Sequence, residues 1–213
     1  MAMPRVCRAE TEKNRTAIRQ ASSRLFREQG LRASVSDVMS AAGLTHGGFY
    51  GHFRSKDELA AEACAAAFAE SAARWRKRIG NAANPAAART ALIEGYLTAQ
   101  NRAAIGTGCP IAALATDVAR ESPGKPVRSE FRAGLERLIE MLAEVEPRPA
   151  GAARAQALTE LSTLVGAMVL ARATDATPLS DELLQAAASS LLGPGKDSRR
   201  GRRPRSRRGR RAR

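Results

Sequence analysis

Apolar positions near the N-terminus recur at three- and four-residue steps. Ile18, Ala21, Leu25 and Phe26 mark one helix face in a run that starts near Thr11, and Gly30 ends it as a C-terminal cap. Ser34 and Ser36 are N-cap candidates for a short helix through Ala42. Gly43 makes a turn, and Thr45 caps a second short helix that ends near Phe53. Ser55 caps a long helix from Lys56 to about Ile79, with Asp57 and Glu58 in its first turn, where the helix dipole favours negative charge. Pro85 opens a helix closed by Gly106 to Gly108, Pro110 one that ends near Ser122-Pro123-Gly124, and Pro126 one that reaches about Glu146. Pro147 and Pro149 precede a helix to about Ala173. Pro178 with Ser180-Asp181 begins the last helix, to Leu192, which Gly193-Pro194-Gly195 stops. No stretch alternates apolar and polar residues with β-branched or aromatic enrichment. The pattern therefore predicts an all-α protein of about nine helices with short connections.

Composition changes this picture in two places. Aromatics are 4% of the chain, so the core must be built mainly from Ala, Leu, Val and Ile. The formal charge of +14 is uneven: residues 196–213 hold 11 Lys or Arg against one Asp, residues 1–59 hold 10 basic and 6 acidic groups, and residues 60–195 balance. A neutral body with a basic front suits a module that meets a polyanion at one end. Residues 1–10 read as a flexible basic arm. Residues 194–213, Arg, Gly, Ser and Pro with almost nothing apolar, are expected to stay disordered because they cannot repay the entropy of folding. The N-terminus lacks a secretory pattern, no apolar run approaches membrane-spanning length, and Cys7, Cys64 and Cys109 are too few and too widely spaced for a disulfide framework or zinc site. A reducing cytoplasm and no membrane partner are expected.

Chemistry concentrates at residues 36–53, Ser36-Asp37-Val38-Met39-Ser40-Ala41-Ala42-Gly43-Leu44-Thr45-His46-Gly47-Gly48-Phe49-Tyr50-Gly51-His52-Phe53. Two short helices crossing steeply need a tight turn, and Gly43 can take the left-handed backbone that such a turn requires. Val38, Ala42, Leu44, Phe49 and Phe53 can pack inside, while the second helix presents Thr45, His46, Gly47, Gly48, Tyr50 and His52 outward. Glycines 47, 48 and 51 each cost about 1 kcal/mol relative to Ala in a free helix. A bare helical face makes sense where another surface, such as the floor of a DNA major groove, must approach closely.

The run Ile18–Leu59 resembles the DNA-binding domain of the TetR family of bacterial transcriptional regulators. The matching marks are Ile18, Ala21, Leu25-Phe26, Gly30, Ser34-Val35, Val38, Ala42-Gly43-Leu44, Gly47, Phe49-Tyr50, His52-Phe53, Ser55-Lys56 and Leu59, without a gap. Met39, where a smaller residue is common, and Gly51, which lacks a side chain that often reaches phosphate, depart from the pattern. The resemblance implies a three-helix helix-turn-helix domain, residues 11–55. Ser34, Ser36, Thr45, Tyr50, His52 and Lys56 would contact the phosphate backbone, and His46, Gly47 and Gly48 would lie nearest the bases. It implies double-stranded operator DNA as partner, a homodimer, and repression relieved by a small-molecule effector.

Residues 56–193 resemble the family's effector-binding and dimerisation domain in layout. Leu158, Leu161, Val165 and Met168 follow one helix face, and Leu184, Ala187 and Leu191 another. Two such helices per chain can form a four-helix dimer interface, and the same pattern fits an intrachain core. Trp75, Tyr96, Asn101, Cys109 and Phe131 are the candidate lining of an effector pocket among the middle helices. Cys109, just before Pro110 at a helix start, is also a candidate reactive thiol.

No cofactor, metal or catalytic group is expected. His46 and His52 are six residues apart, on different helix faces, and no Cys or carboxylate joins them. Gly193-Pro194-Gly195-Lys196 lacks the preceding Gly and following Ser or Thr of a phosphate loop, and no Gly-x-Ser-x-Gly elbow occurs. The alternative to an operator-reading regulator is a non-specific nucleic-acid binder acting through the Arg-rich tail. Truncation after Gly193 is expected to lower affinity for random DNA and flatten its salt dependence while preference for a selected site survives. Binding measured against salt concentration checks this; loss of site preference would move the function to the tail.

Overall fold

The computed structural model of the protein describes residues 8–193. Most of the N-terminal arm and the Arg-rich tail, 194–213, lie outside the described residues. Helix α1, Arg8–Gln29, starts three residues before the expected Thr11, so Arg8 to Glu10 are helical. It is followed by α2, Val35–Ala41, and a 3-10 helix, His46–Gly51. Helix α3 spans Lys56–Gly80, α4 Pro85–Tyr96 and α5 Ala99–Ala103. A second 3-10 turn, Ile105–Thr107, leads to α6, Pro110–Arg120. Helices α7, Pro126–Val145, α8, Ala150–Ala173, and α9, Pro178–Leu192, complete the described chain. It is all-helical among the described residues.

Local chemistry explains most boundaries. Gly30 ends α1 at φ +79°, its amide bonded to the Phe26 carbonyl at 2.9 Å. Four helices begin with proline, whose missing N–H costs nothing at a first turn. The helix expected from Pro85 to Gly106 is instead three pieces. Leu97 leaves the helical region (φ −87°, ψ 55°), and the Thr98 side chain accepts the Asn101 amide at 3.0 Å to start α5. The carbonyls freed at the break find side chains: Asn101 Nδ2 donates to Tyr96 at 2.8 Å and Arg78 to Gly95 at 3.2 Å.

The centre of the fold is α3, which packs against α1, α7, α4 and α6. Phe26, Val38, Phe49, Phe53 and Leu59 are continuous in one buried cluster with Cys64, Trp75, Leu92, Leu138, Leu164 and Leu184. The expected boundary at residues 55 and 56 is therefore not a break in the core. Alanines 63, 67 and 72 keep α3 thin on its packed side, and Gly134 lets α7 close onto it, since a Cβ there would run into the Phe68 ring. Phe131 meets the same ring edge-on at 5.3 Å.

Most of the residues expected at a dimer face are taken up by the chain's own core. Leu161, Met168, Leu184 and Ala187 are buried within the chain itself, and Val165 and Leu191 pack against the same core. Of the residues expected to meet a second subunit, only Leu158 is exposed. The apolar side chains facing outward on α8 and α9 are Leu158, Val169, Leu170 and Leu179. A helix that is apolar on two sides does not reveal by its pattern which side its own chain will cover.

Replacing Gly134 by Ala is expected to cost about 1–3 kcal/mol through overpacking against Phe68. Gly151→Ala, at a helical position with open space around it, should instead raise stability by about 0.4–1 kcal/mol. Urea unfolding of the two variants checks the difference.

Candidate nucleic-acid interface

Helix α2 is held at its start by a reciprocal cap. Ser34 Oγ accepts the Asp37 amide at 3.1 Å, and Asp37 Oδ2 accepts the Ser34 amide at 3.1 Å and its hydroxyl at 2.6 Å. The Ser34 bonds hold the Asp37 carboxyl below its usual range. The expectation of two equivalent caps resolves onto Ser34. Ser36, one residue inside the helix, is exposed with its hydroxyl outside the cap, whereas the Ser34 hydroxyl is already engaged.

The turn after α2 closes on Gly43 at φ +71°. Its amide bonds the Ser40 carbonyl at 3.0 Å, and the Leu44 amide bonds Met39 at 2.9 Å, which is the double closure of a Schellman turn. The second element is a 3-10 helix and not the expected α-helix. Thr45 stands at its N-cap position without a side-chain cap bond. Three glycines in six residues supply little to sustain an α-helix, and the anchors at Phe49 and Phe53, stacked at 5.8 Å, dictate the path instead.

This segment presents Thr45, His46, Gly47, Gly48, Tyr50 and Gly51 to the outside. Tyr50 is 74% exposed and meets the Phe49 ring edge-on at 5.2 Å. A Cβ at Gly47 or Gly51 would meet nothing within 4 Å, and one at Gly48 would make only ordinary contact with Met39. Internal packing therefore does not require the glycines. His52 differs from the outward position expected of it: it is half-buried, and its Nδ1 is enclosed without a partner. Lys56 is half-buried beside a groove shared with Arg32, Asp117 and Arg120.

Arg15 of α1 ties the segment down. It donates to the His52 carbonyl, pairs with Glu62 and Glu58 of α3, and lies over the Phe53 ring at 4.4 Å. Ser55 caps α3, its Oγ accepting the Glu58 amide at 3.1 Å, and Glu58 Oε2 accepts the Arg54 amide, one residue before the cap, at 2.7 Å. The Arg54 bond, helped by Arg15, holds the Glu58 carboxyl below its ordinary 4.5. Arg32 and Arg54 are exposed cations beside the segment. The sequence reading passed over both; each sits just outside a helix start, which is the signal that could have found them.

Four of the five expected pocket residues come together. Trp75, Tyr96, Asn101 and Cys109 line one cavity of about 430 Å³ under the α4–α5 break. Phe131 does not join them: it packs on Phe68 and lines a different groove with Val118 and Arg128. The cavity also has Arg74 and Arg78 in its wall, which the sequence reading missed. Cys109 is buried at the N-cap position of α6, and burial pushes the Cys64 thiol up to about 12. Among the described residues no group of three or more His, Cys, Asp or Glu gathers to hold a metal, and no helix is long and apolar enough to cross a membrane.

The body is joined to the helix-turn-helix by α1. Arg27, 4% exposed, pairs with Glu70 at 2.7 Å and donates to the Gly108 carbonyl at 3.3 Å. Asp117 of α6 accepts the Leu31 amide at 2.8 Å.

Residues 18–63 match the family model of bacterial regulatory proteins, tetR family. No curated protein matches the sequence. Solved structures share the fold. A transcriptional regulator from Chloroflexus aurantiacus is 24% identical with a TM-score of 0.72, over 86% of this chain and 94% of that one. One from Agrobacterium tumefaciens is 23% identical at 0.71, over 85% and 97%. The reduced form of Escherichia coli NemR is 19% identical at 0.69, over 84% and 95%.

The depressed Glu58 carboxyl supports the folded segment fully above pH 4.5, and that support is lost as pH falls through its lower folded value. Hydrogen exchange at the Arg54 amide is expected to lose protection across that range, beyond the intrinsic pH dependence of exchange. In Glu58→Gln the acid-linked loss should disappear; a wild-type profile in that variant would overturn the assignment.

Proposed function

Through residues 18–63 the chain belongs to the TetR family of bacterial regulatory proteins, a transcription regulator with a helix-turn-helix DNA-binding domain, and on that premise we propose that it is a homodimeric repressor released from a palindromic operator by a small-molecule effector. The reading rests on one observation above the others: a 3-10 face of three glycines that the chain's own packing does not require, flanked by an outward Tyr50. A face without side chains lets backbone and the neighbouring His46 approach base edges, while Thr45, Tyr50, Ser36 and Lys56 hold phosphates. Arg32 and Arg54 add positive charge on the same side.

Dimerisation is supported by the exposed apolar positions Leu158, Val169, Leu170 and Leu179 of α8 and α9. Two copies joined there would present two recognition segments, and a reader of adjacent major grooves needs them roughly one helical turn, about 34 Å, apart. The cavity under the α4–α5 break is the proposed effector pocket. Its lining includes Thr107 and Cys109, on either side of Gly108, whose carbonyl accepts from Arg27 of α1, so occupancy can bias the orientation of the DNA-binding helices. A coupling of about 1–3 kcal/mol is enough to change operator occupancy strongly.

Selection of bound sequences from random duplex DNA is expected to return a palindrome; absence of enrichment would remove the operator-reading proposal. On the selected site, Gly47→Ala should weaken binding at least tenfold. The same change should raise stability by about 0.4–1 kcal/mol, because its Cβ meets open space and the unfolded chain loses freedom. Unchanged affinity in that variant would show that close approach is not how the segment reads DNA.

A further inference from the structure

The cavity under the α4–α5 break has charged groups of one sign in its wall. Arg74 and Arg78 line it together with uncharged polar groups, and no Asp or Glu does. Neither arginine is in a salt bridge among the described residues. Arg74 donates to Ser71 Oγ at 3.0 Å and, at 3.4 Å, to Gly108 O. Among the described residues Arg78 donates only to the Gly95 carbonyl. A guanidinium has five N–H donors, so each keeps several without a protein partner.

Two more observations point the same way. The Tyr96 hydroxyl, of a residue on the cavity wall, is enclosed beside the Cys109 thiol, with no further hydrogen-bond partner among the described residues. Behind Asn101, Arg172 Nη1 is likewise enclosed without a partner. Burial, and after it the neighbouring charge of Arg27, pushes Arg74 below its usual value, and Glu70 offsets this only in part. Trp75 supplies an apolar wall.

We propose that this cavity binds a small organic anion, a carboxylate with an apolar body, through Arg74 and Arg78. The planar forks match a carboxylate in two-bond geometry, and the volume suits a compact ligand. This deepens the effector-pocket reading and rests on it for its regulatory meaning. The coupling is short. The Gly108 carbonyl accepts from Arg74 and also from the buried Arg27 of α1. An anion that draws Arg74 away leaves that carbonyl to Arg27 alone, so the ligand acts on the helix that carries the DNA-binding segment.

Trp75 is the chain's one tryptophan, and it lines the cavity, so its fluorescence reports on occupancy. The full chain is titrated with hexanoate and cyclohexanecarboxylate, each against its neutral amide; none of these absorbs where tryptophan is excited. Each carboxylate is expected to bind at least about tenfold tighter than its amide. Arg78→Gln and Arg74→Gln should each remove most of that advantage and leave amide binding unchanged, with melting curves showing that the variants fold. Equal binding of acid and amide overturns the proposal. So does the absence of any Trp75 response up to about 10 mM, the weak end of specific recognition. Release of the selected operator DNA by the same carboxylates is read separately. Carboxylate binding without release leaves the anion site standing and removes the effector reading, whereas failure to select any operator removes the DNA reading and leaves the Trp75 titration decisive.

Discussion

Arg27 carries a charge into the seam between α1 and α3, and the arrangement of the two halves of the molecule depends on how that charge is met. Its guanidinium takes the Glu70 carboxylate, the Ser23 carbonyl and hydroxyl, and the Gly108 carbonyl. A buried cation stripped of partners costs several kcal/mol, so these bonds form together or the seam opens. They pin α1 to α3 and to the turn before α6 at once. Asp117 adds a second clasp by holding the Leu31 amide just beyond the end of α1. Gly30 is needed between them twice over: its φ is positive, and a Cβ would run into the Asp117 carboxylate.

From this anchored helix the DNA-binding segment hangs by a few strong attachments and is otherwise bare. Arg15, Phe49 and Phe53 hold it from below, while the capping box at Ser34 and the side-chain cap at Ser55 fix the helices on either side. The exposed side gives up helix stability that alanine would supply, and nothing inside the chain compensates. A local rule broken without an internal reason is what a surface shaped for another molecule looks like.

The break between α4 and α5 is the second place where regularity is surrendered. It opens a cavity, and its freed carbonyls recruit Asn101 and Arg78, whose remaining donors face the space created. Thus the polar wall and the irregular backbone have a common cause. The Gly108 carbonyl then joins this wall to Arg27, so the cavity and the DNA-binding helix share an acceptor.

Much of this was legible beforehand. Periodicity, prolines and capping residues determine helices α1 to α3 and α6 to α9 to within a few residues, because those signals act over one or two turns. Gly43, Tyr50 and the glycine face follow from local chemistry in the same way, and so does the family resemblance. Other features were decided by contacts between residues far apart. The recognition segment became a 3-10 helix because Phe49 and Phe53 had to reach a core built on α1 and α3. Leu161 and Met168 turned inward, and Leu158, Val169 and Leu170 outward, because helices apolar on two sides are sorted by what packs on them. Phe131 went to Phe68, and Arg74 and Arg78 joined Trp75 and Tyr96, by the way α3 passes α4 and α7. Sequence by itself determines the elements and the exposed glycine face, through interactions of short range along the chain. Only the tertiary structure assigns inside and outside, and with them the cavity, since burial is a property of the assembled helices.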